Sequence, residues 1–440
     1  MSAQISQLKT AAELALVQQF TSQKSTLGGD GATLAMREAA FGVIAQEGLP
    51  NRRVEHWHYT DLRKEMRSVL PLAEKPTSAQ IAEAKISLTH YEGTKLVLLD
   101  GTFVPELSNS TSLPSGVKFT SMADVLDGSR PDLLTHLGAL DVAKGDHALC
   151  LNAAFMRDGI VLEIEPDVQL DTPITLISLR SRGVATFSYA RSLIFVGARA
   201  KFTLIEAHEG GENTDCQVND AIEFVLSEGA NVEHIMRQDM AKTVFYLATV
   251  TANLGAKAAF NSFALVRGAG FSRRQLYVQY SGEGSIAGLR GVSMLKGTQF
   301  ADTTLVMDHA KANGISRELF KHVIDGDATG VYQGKVIVRQ YAQKTDGGMK
   351  SNTLLLSDTA TMNNKPELEI FADDVVCGHG ATVGALDDEL LFYLMARGLP
   401  KPEAERLMIQ AFLGEAIENV EHEPMRDALN ECVDKWLGER

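Results

Sequence analysis

Apolar residues recur at helical spacing at both ends of the chain and in short, β-branched runs between them. Near the start, Leu8, Ala11, Ala12, Leu14, Ala15 and Phe20 return every three or four residues, which predicts a helix. Gly28-Gly29-Asp30-Gly31 breaks it, and a second helical stretch follows over 36–45. AEKPTSAQIAEAK reads as a loop leading into a short helix. From Lys95 the texture changes, and LVLLDGTFVPEL looks like strand, turn, strand. A mixed segment runs to about Asp146. From Leu151 to Val376, β-branched and aromatic residues form runs such as 172–179, 192–206, 221–226, 243–251 and 335–338, separated by Gly and Asn or Asp. Past Leu386 the pattern is helical again. DDELLFYLMARGLP predicts a helix stopped by Gly398 and Pro400. In the next stretch Ala404, Leu407, Met408, Ala411, Phe412, Ile417 and Val420 lie largely on one face, and a last helix is expected from Pro424 to about Leu437.

The β region carries a weak rhythm. Glycines that precede a new strand fall at Gly197, Gly229, Gly255 and Gly282, at spacings of 32, 26 and 27 residues. Strand units of nearly fixed period suggest a solenoid or a sandwich. No long helical pattern interrupts them, which disfavours alternating β/α architecture. A parallel β-helix fits best, with a large β-sandwich as the alternative. The expected division is a helical domain over 1–92, a β-helix core with an initial mixed segment over 93–384, and a helical domain over 385–440.

Composition narrows the function classes. The chain has 440 residues, 45% of them hydrophobic and 22% charged, an ordinary soluble balance. A formal net charge of -14 argues against non-specific nucleic-acid binding, which needs a basic footprint. No apolar run is long enough for a bilayer, and no basic segment with a cleavage site opens the chain, so the cytoplasm is the expected location. Cys150, Cys216, Cys377 and Cys432 are far apart and form no CxxC, so free thiols are expected rather than a zinc ribbon or a redox dithiol. There is no GxxxxGK[ST] loop, and Gly330 to Lys335 has the wrong spacing for one, so the chain is not expected to bind or hydrolyse ATP. GxSxG and HExxH are absent too.

The densest candidate chemistry is Cys377-Gly378-His379, just after Asp373 and Asp374. Thiolate is a soft ligand suited to iron–sulfur species, and imidazole suits iron. On an extended backbone positions 377 and 379 share a face, and Gly378 and Gly380 permit close approach. Two ligands do not fill a coordination sphere, so such a site needs donors from elsewhere. On spacing alone the commoner reading is structural: a buried small thiol and a histidine bonded to a turn. In the segment 330–357, Gln333, Gln343 and Asn352 suit ladders along a solenoid, and Lys335, Arg339 and Lys344 are weaker catalytic candidates. His56 and His58 flank Trp57, where packing by Trp57 and Tyr59 is favoured over metal binding. The amphipathic stretch 402–420 is either a docking surface or a cover for its own domain.

The strings GVYQGK, AQKTD, NTLLLS, KPELEIFADDV, CGHGATVG and LFYLMARG occur in the order found in the SufB/SufD family of iron–sulfur assembly proteins, over about 282–413. The segment RVEHWHYTDL extends the resemblance towards the start. The SufD branch is the nearer, because of the helical leading region, HGATVG, and the lack of extra cysteines. One departure is Gly378, where such proteins commonly have Ser. The resemblance implies a right-handed parallel β-helix flanked by helical domains. It implies pairing with a SufB-like chain and docking of a SufC-like ABC-type ATPase through the C-terminal helices. It implies a transient iron–sulfur cluster or iron at a shared interface, with His379 the leading metal-site residue and Cys377 the second. Such complexes have been linked with a reduced flavin; no flavin motif is present, and that point stays open, as does self-pairing of the isolated chain. The rival readings are a purely structural partner-stabilising subunit and a β-helix enzyme acting on polysaccharides. The adjacency of Asp373 and Asp374 disfavours the enzyme, since neighbours on a strand face opposite sides.

Overall fold

Strands in the middle of the chain alternate between two sheets, so each strand pairs with the one two places away in sequence. A computed structural model describes residues 9–29, 31–88, 91 and 93–439; Leu8 and Asp30 lie outside them. Among the described residues the strands form one 10-stranded and one 9-stranded sheet. From Ile174 to Gly384 the pairing is parallel throughout. This is the parallel β-helix. Residues 30 apart in sequence meet on successive coils, as Thr203 does with Glu233 and Asn352 with Thr382.

The glycine rhythm is one corner of this helix. Gly197, Gly255 and Gly282 directly follow, or nearly follow, strands of the nine-stranded sheet, where the chain turns towards the other sheet. A Cβ on Gly282 would lie 1.9 Å from the backbone nitrogen of Ala256, and one on Gly255 would lie 2.7 Å from the carbonyl oxygen of Leu226. The corners stack backbone on backbone, and only glycine allows it. The same corner divides the expected run 192–206 into the strands Thr186–Val196 and Lys201–Gly210, because Arg199 takes a left-handed φ of 58° between them.

Alternate side chains point inward. They form one apolar core down the axis, from Leu96 through Phe202, Phe260 and Leu305 to Val338. Each such side chain contributes about 1.5–3 kcal/mol of burial. The N-terminal helices Ala11–Gln23 and Gly31–Glu47 cover the outside of the nine-stranded sheet. Phe20 stacks on Phe41 with ring centroids 4.2 Å apart, and both meet Phe155 edge-on. The predicted loop-to-helix segment is the helix Ser78–Ser87, capped by Thr77. The predicted strand, turn and strand are Thr94–Leu99 and Thr102–Phe103, paired antiparallel.

At the other end come the helices Asp388–Ala396, Lys401–Ile417 and Glu423–Gly438. The last two lay Ile409, Leu413, Ala416 and Trp436 on Ile235, Phe263, Leu265 and Val292 of the ten-stranded sheet. No helix among the described residues is long and apolar enough to cross a membrane.

Candidate functional site

The final coil is built from the strands Asp346–Leu355, Thr361–Ile370 and Val376–Gly384. Cys377 and His379 pair in register with Gly347 and Met349. Met349 is buried in the axial core, so both residues sit on the inward-facing side of their strand, as an extended backbone requires. Among the described residues no further coil covers them. Cys377 is half-buried at the rim of the core, and a Cβ on Gly347 would lie 3.4 Å from its Sγ. Burial pushes its thiol pKa up, and a hydrogen bond from the Gly347 backbone opposes that. His379 is exposed. The chain thus places a thiol and an imidazole two residues apart at an open mouth. Among the described residues no group of three or more His, Cys, Asp or Glu is placed to hold a metal ion.

The other candidates fall into structural roles. Asp374 pairs with Lys344, and its backbone N–H donates to Gln343 Oε1 at 2.9 Å, so it clamps a turn. Asn352 Nδ2 donates to Thr382 Oγ1 at 2.7 Å, and Gln333 Nε2 to Thr304 Oγ1 at 3.2 Å, both joining successive coils. Lys335 pairs with Glu369 at 2.6 Å and Arg339 with Asp308 at 2.8 Å. Trp57 is buried, with the Arg273 guanidinium 3.8 Å from its ring centroid. Arg273 also donates to the His56 carbonyl at 2.6 Å and pairs with the fully buried Asp302, which accepts from Thr60. The His56–His58 segment is therefore a strap across the β-helix: burial lowers the His56 pKa, and His58 Nδ1 lies 3.1 Å from the Arg52 carbonyl. Within 402–420, Ala404, Ile417 and Val420 are buried while Leu407 is exposed. The buried face of that stretch lies on the ten-stranded sheet, and the larger uncovered apolar face is on the preceding helix, at Leu390, Phe392, Tyr393 and Met395.

The axial interior also holds a chain of ionisable groups that the sequence pattern did not reveal. Arg180 donates to Asp220 at 2.8 Å, His208 lies 2.8 Å from Glu206, and Glu206 lies 2.9 Å from His234. His234 Nδ1 is 3.1 Å from Ser262 Oγ, which accepts from Arg274 at 3.2 Å. Burial alone would push the His208 pKa down, but Glu206 and Asp220 raise it to about 9. Burial would push Glu206 up, yet His208 and His234 hold it well below the carboxylate range. An ionised pair inside an apolar tube is costly unless its remaining hydrogen bonds are made. Both Glu206 oxygens are met by His208 and His234, while Asp220 Oδ1, Arg180 Nε and Arg274 Nε have no hydrogen-bond partner among the described residues. The available signal was Glu206-x-His208, two titratable residues on the strand face whose earlier members, Phe202 and Leu204, are apolar.

Comparison with known proteins finds matches over nearly the whole chain. The family model "SUF system FeS cluster assembly, SufBD core domain" matches residues 178–412, and "SufBD protein N-terminal region" matches 11–176. An iron–sulfur cluster assembly SufBD family protein of Synechocystis is 31% identical, over 92% of this chain and 91% of its own. The iron–sulfur cluster assembly protein SufD of Escherichia coli is 28% identical, over 87% of this chain and 88% of its own. SufD of Bacillus subtilis is 27% identical over the same shares of the two chains.

Proposed function

The chain belongs to the SufBD family of iron–sulfur cluster assembly proteins, and from that premise we propose that it is a cytoplasmic, non-ATPase scaffold subunit whose open final coil is the assembly face. The observation that carries this reading is the exposed last coil, with Cys377 and His379 at its mouth and no third ligand grouped with them among the described residues. An exposed strand edge presents unpaired backbone groups that another β chain can meet. Val376, Phe371 and Val383 are exposed beside it, 73%, 59% and 49% respectively, which supports a partner covering this end. A SufB-like chain supplies the missing donors, and the nascent cluster is the cargo built between the two chains. Cys377 as thiolate is a soft ligand for iron, and His379 offers an imidazole nitrogen. Burial of the Cys377 thiol disfavours its ionisation in the free chain, so a bound iron or a cationic partner group is what would stabilise the thiolate, the proton passing to solvent.

Without a phosphate loop, energy must come from another subunit. The uncovered face of Asp388–Ala396 is the surface offered to an ABC-type ATPase. That helix follows the final strand after Ala385, Leu386 and the capping Asp387, so movement of the helix acts directly on the strand carrying His379. In this reading 385–440 forms the docking domain, 93–384 the scaffold and 1–92 the N-terminal domain.

The test is His379→Ala and Cys377→Ala in the complex purified anaerobically with its partners. Loss of reconstituted cluster with unchanged complex formation is expected, the larger loss at His379. Normal iron and sulfide content in both variants overturns the ligand role and leaves a purely structural subunit.

A further inference from the structure

On the outer face of the ten-stranded sheet, between its last strands and the helix Lys401–Ile417, lies an open groove of about 610 Å3. Its floor follows from the register. One outward column runs Gly288, Arg317, Gly348, Gly378, and the next runs Arg290, Leu319, Lys350, Gly380. Earlier in that second column stand Ile235 and Phe263, which the C-terminal helices cover. Beyond Phe263 the column carries Arg290 and Lys350 on either side of Leu319, which still packs against the C-terminal helices, and Glu415 and Asn419 border the groove.

The glycines have two distinct roles. At Gly288 a Cβ would lie 2.4 Å from Arg290 Nη1, so the missing side chain seats that guanidinium on the sheet. At Gly378 and Gly380 a Cβ would meet nothing within 4 Å, so glycine there is not demanded by packing and leaves the groove empty.

The charges do not cancel. Arg317 pairs with Asp346 at 2.6 Å, and Glu415 pairs with Lys321. Glu318 faces the axis, where burial pushes its pKa up to about 8 and favours the uncharged form. Glu421 acts on Arg290 from a distance and lies 3.9 Å from Lys201. Arg290 and Lys350 make no ion pair or hydrogen bond among the described residues. Two coil steps separate them, roughly 10 Å. Two unpaired cations at that spacing, in a concave site walled by Leu319 and the helix, stand out on a chain of net charge -14. A pocket of this size takes a small molecule rather than a lone ion.

We propose that this groove binds a small polyanion whose phosphate or carboxylate oxygens bridge Arg290 and Lys350. His379 is among the residues lining the groove, so the groove borders the proposed assembly face, but the inference needs no ligand role for His379 or for the Cys377 thiol.

Calorimetric titration of the full chain at low salt, with pyrophosphate and separately with citrate, tests it. At least one anion is expected to bind, and Arg290→Gln and Lys350→Gln are each expected to weaken binding about tenfold or more, the loss typical of a charged hydrogen bond. Gly380→Phe fills the groove and should abolish binding with an unchanged thermal midpoint. Binding of pyrophosphate alone assigns a phosphate compound, of citrate alone a carboxylate, and of both a general oxyanion site. No binding of either, or equal binding to all three variants, overturns the proposal.

Discussion

The two ends of the β-helix are finished differently. At the N-terminal end Ile160–Ile164 pairs antiparallel with Val117–Ser121, and Thr94–Leu99 with Thr102–Phe103, so the parallel ladder stops in closed hairpin-like pairs. Ile174–Arg180 is buried along its whole length there. At the C-terminal end Thr361–Ile370 and Val376–Gly384 are exposed or half-buried throughout, and among the described residues no antiparallel strand or helix closes them. A solenoid needs a cap because every coil buries one face on the next. One end carries its own cap and the other does not, so the uncapped end is where a second chain gains most by binding.

Breaking the strap on the covered side should have the largest effect. Trp57→Ala removes the ring that Arg273 covers and leaves the buried Arg273–Asp302 pair short of a contact. A loss of about 3–5 kcal/mol is expected in urea unfolding.

The interior near the open end offers a pH-dependent comparison. Burial raises Glu318 from 4.5 to about 8, with Tyr332 Oη donating to it at 3.3 Å. The folded state therefore keeps a proton that the unfolded state loses above about pH 4.5, and stability falls as pH rises from there to about 8. Glu318→Gln should remove that fall: little change near pH 5, and a gain on the order of 2–4 kcal/mol at pH 8.5. Parallel stability curves for the two proteins from pH 5 to pH 8.5 would show that the carboxyl is not protonated in the fold.

The smallest effect on the chain itself is expected at the uncapped edge. Val376→Lys should change stability by no more than about 0.5 kcal/mol, because the side chain touches little. The same change should weaken association with a partner chain, measured by sedimentation velocity. A large loss of stability would mean that the last coil is already closed by its own residues.

Much of the fold was legible in the chain because local chemistry and global packing agree. Thr77 and Pro400 sit at helix starts, and Gly398, with φ 93°, at a helix end. The glycine rhythm marked a stacked corner before the coils were visible. The site was only half legible. Cys377-x-His379 could be seen as a soft-ligand pair on one strand face, but spacing alone did not tell whether later chain would bury it. Asp374 looked like part of the same chemistry, and Lys344, about 30 residues earlier, takes it as a turn partner across one coil.

By itself the sequence determined the order of elements, helices then a long β region then helices, because periodicity, caps and corner glycines are local properties. It also determined that no phosphate loop is present and that the soft-ligand pair lies near the end of the β region. Only the tertiary structure decided which groups meet across coils: Glu206 with His208 and His234, Trp57 with Arg273, and Arg290 in one column with Lys350. Coil stacking joins residues some thirty positions apart, and the strap joins residues far more distant. Such pairings depend on register, which no local pattern states. It is also the stacking that leaves the last coil open.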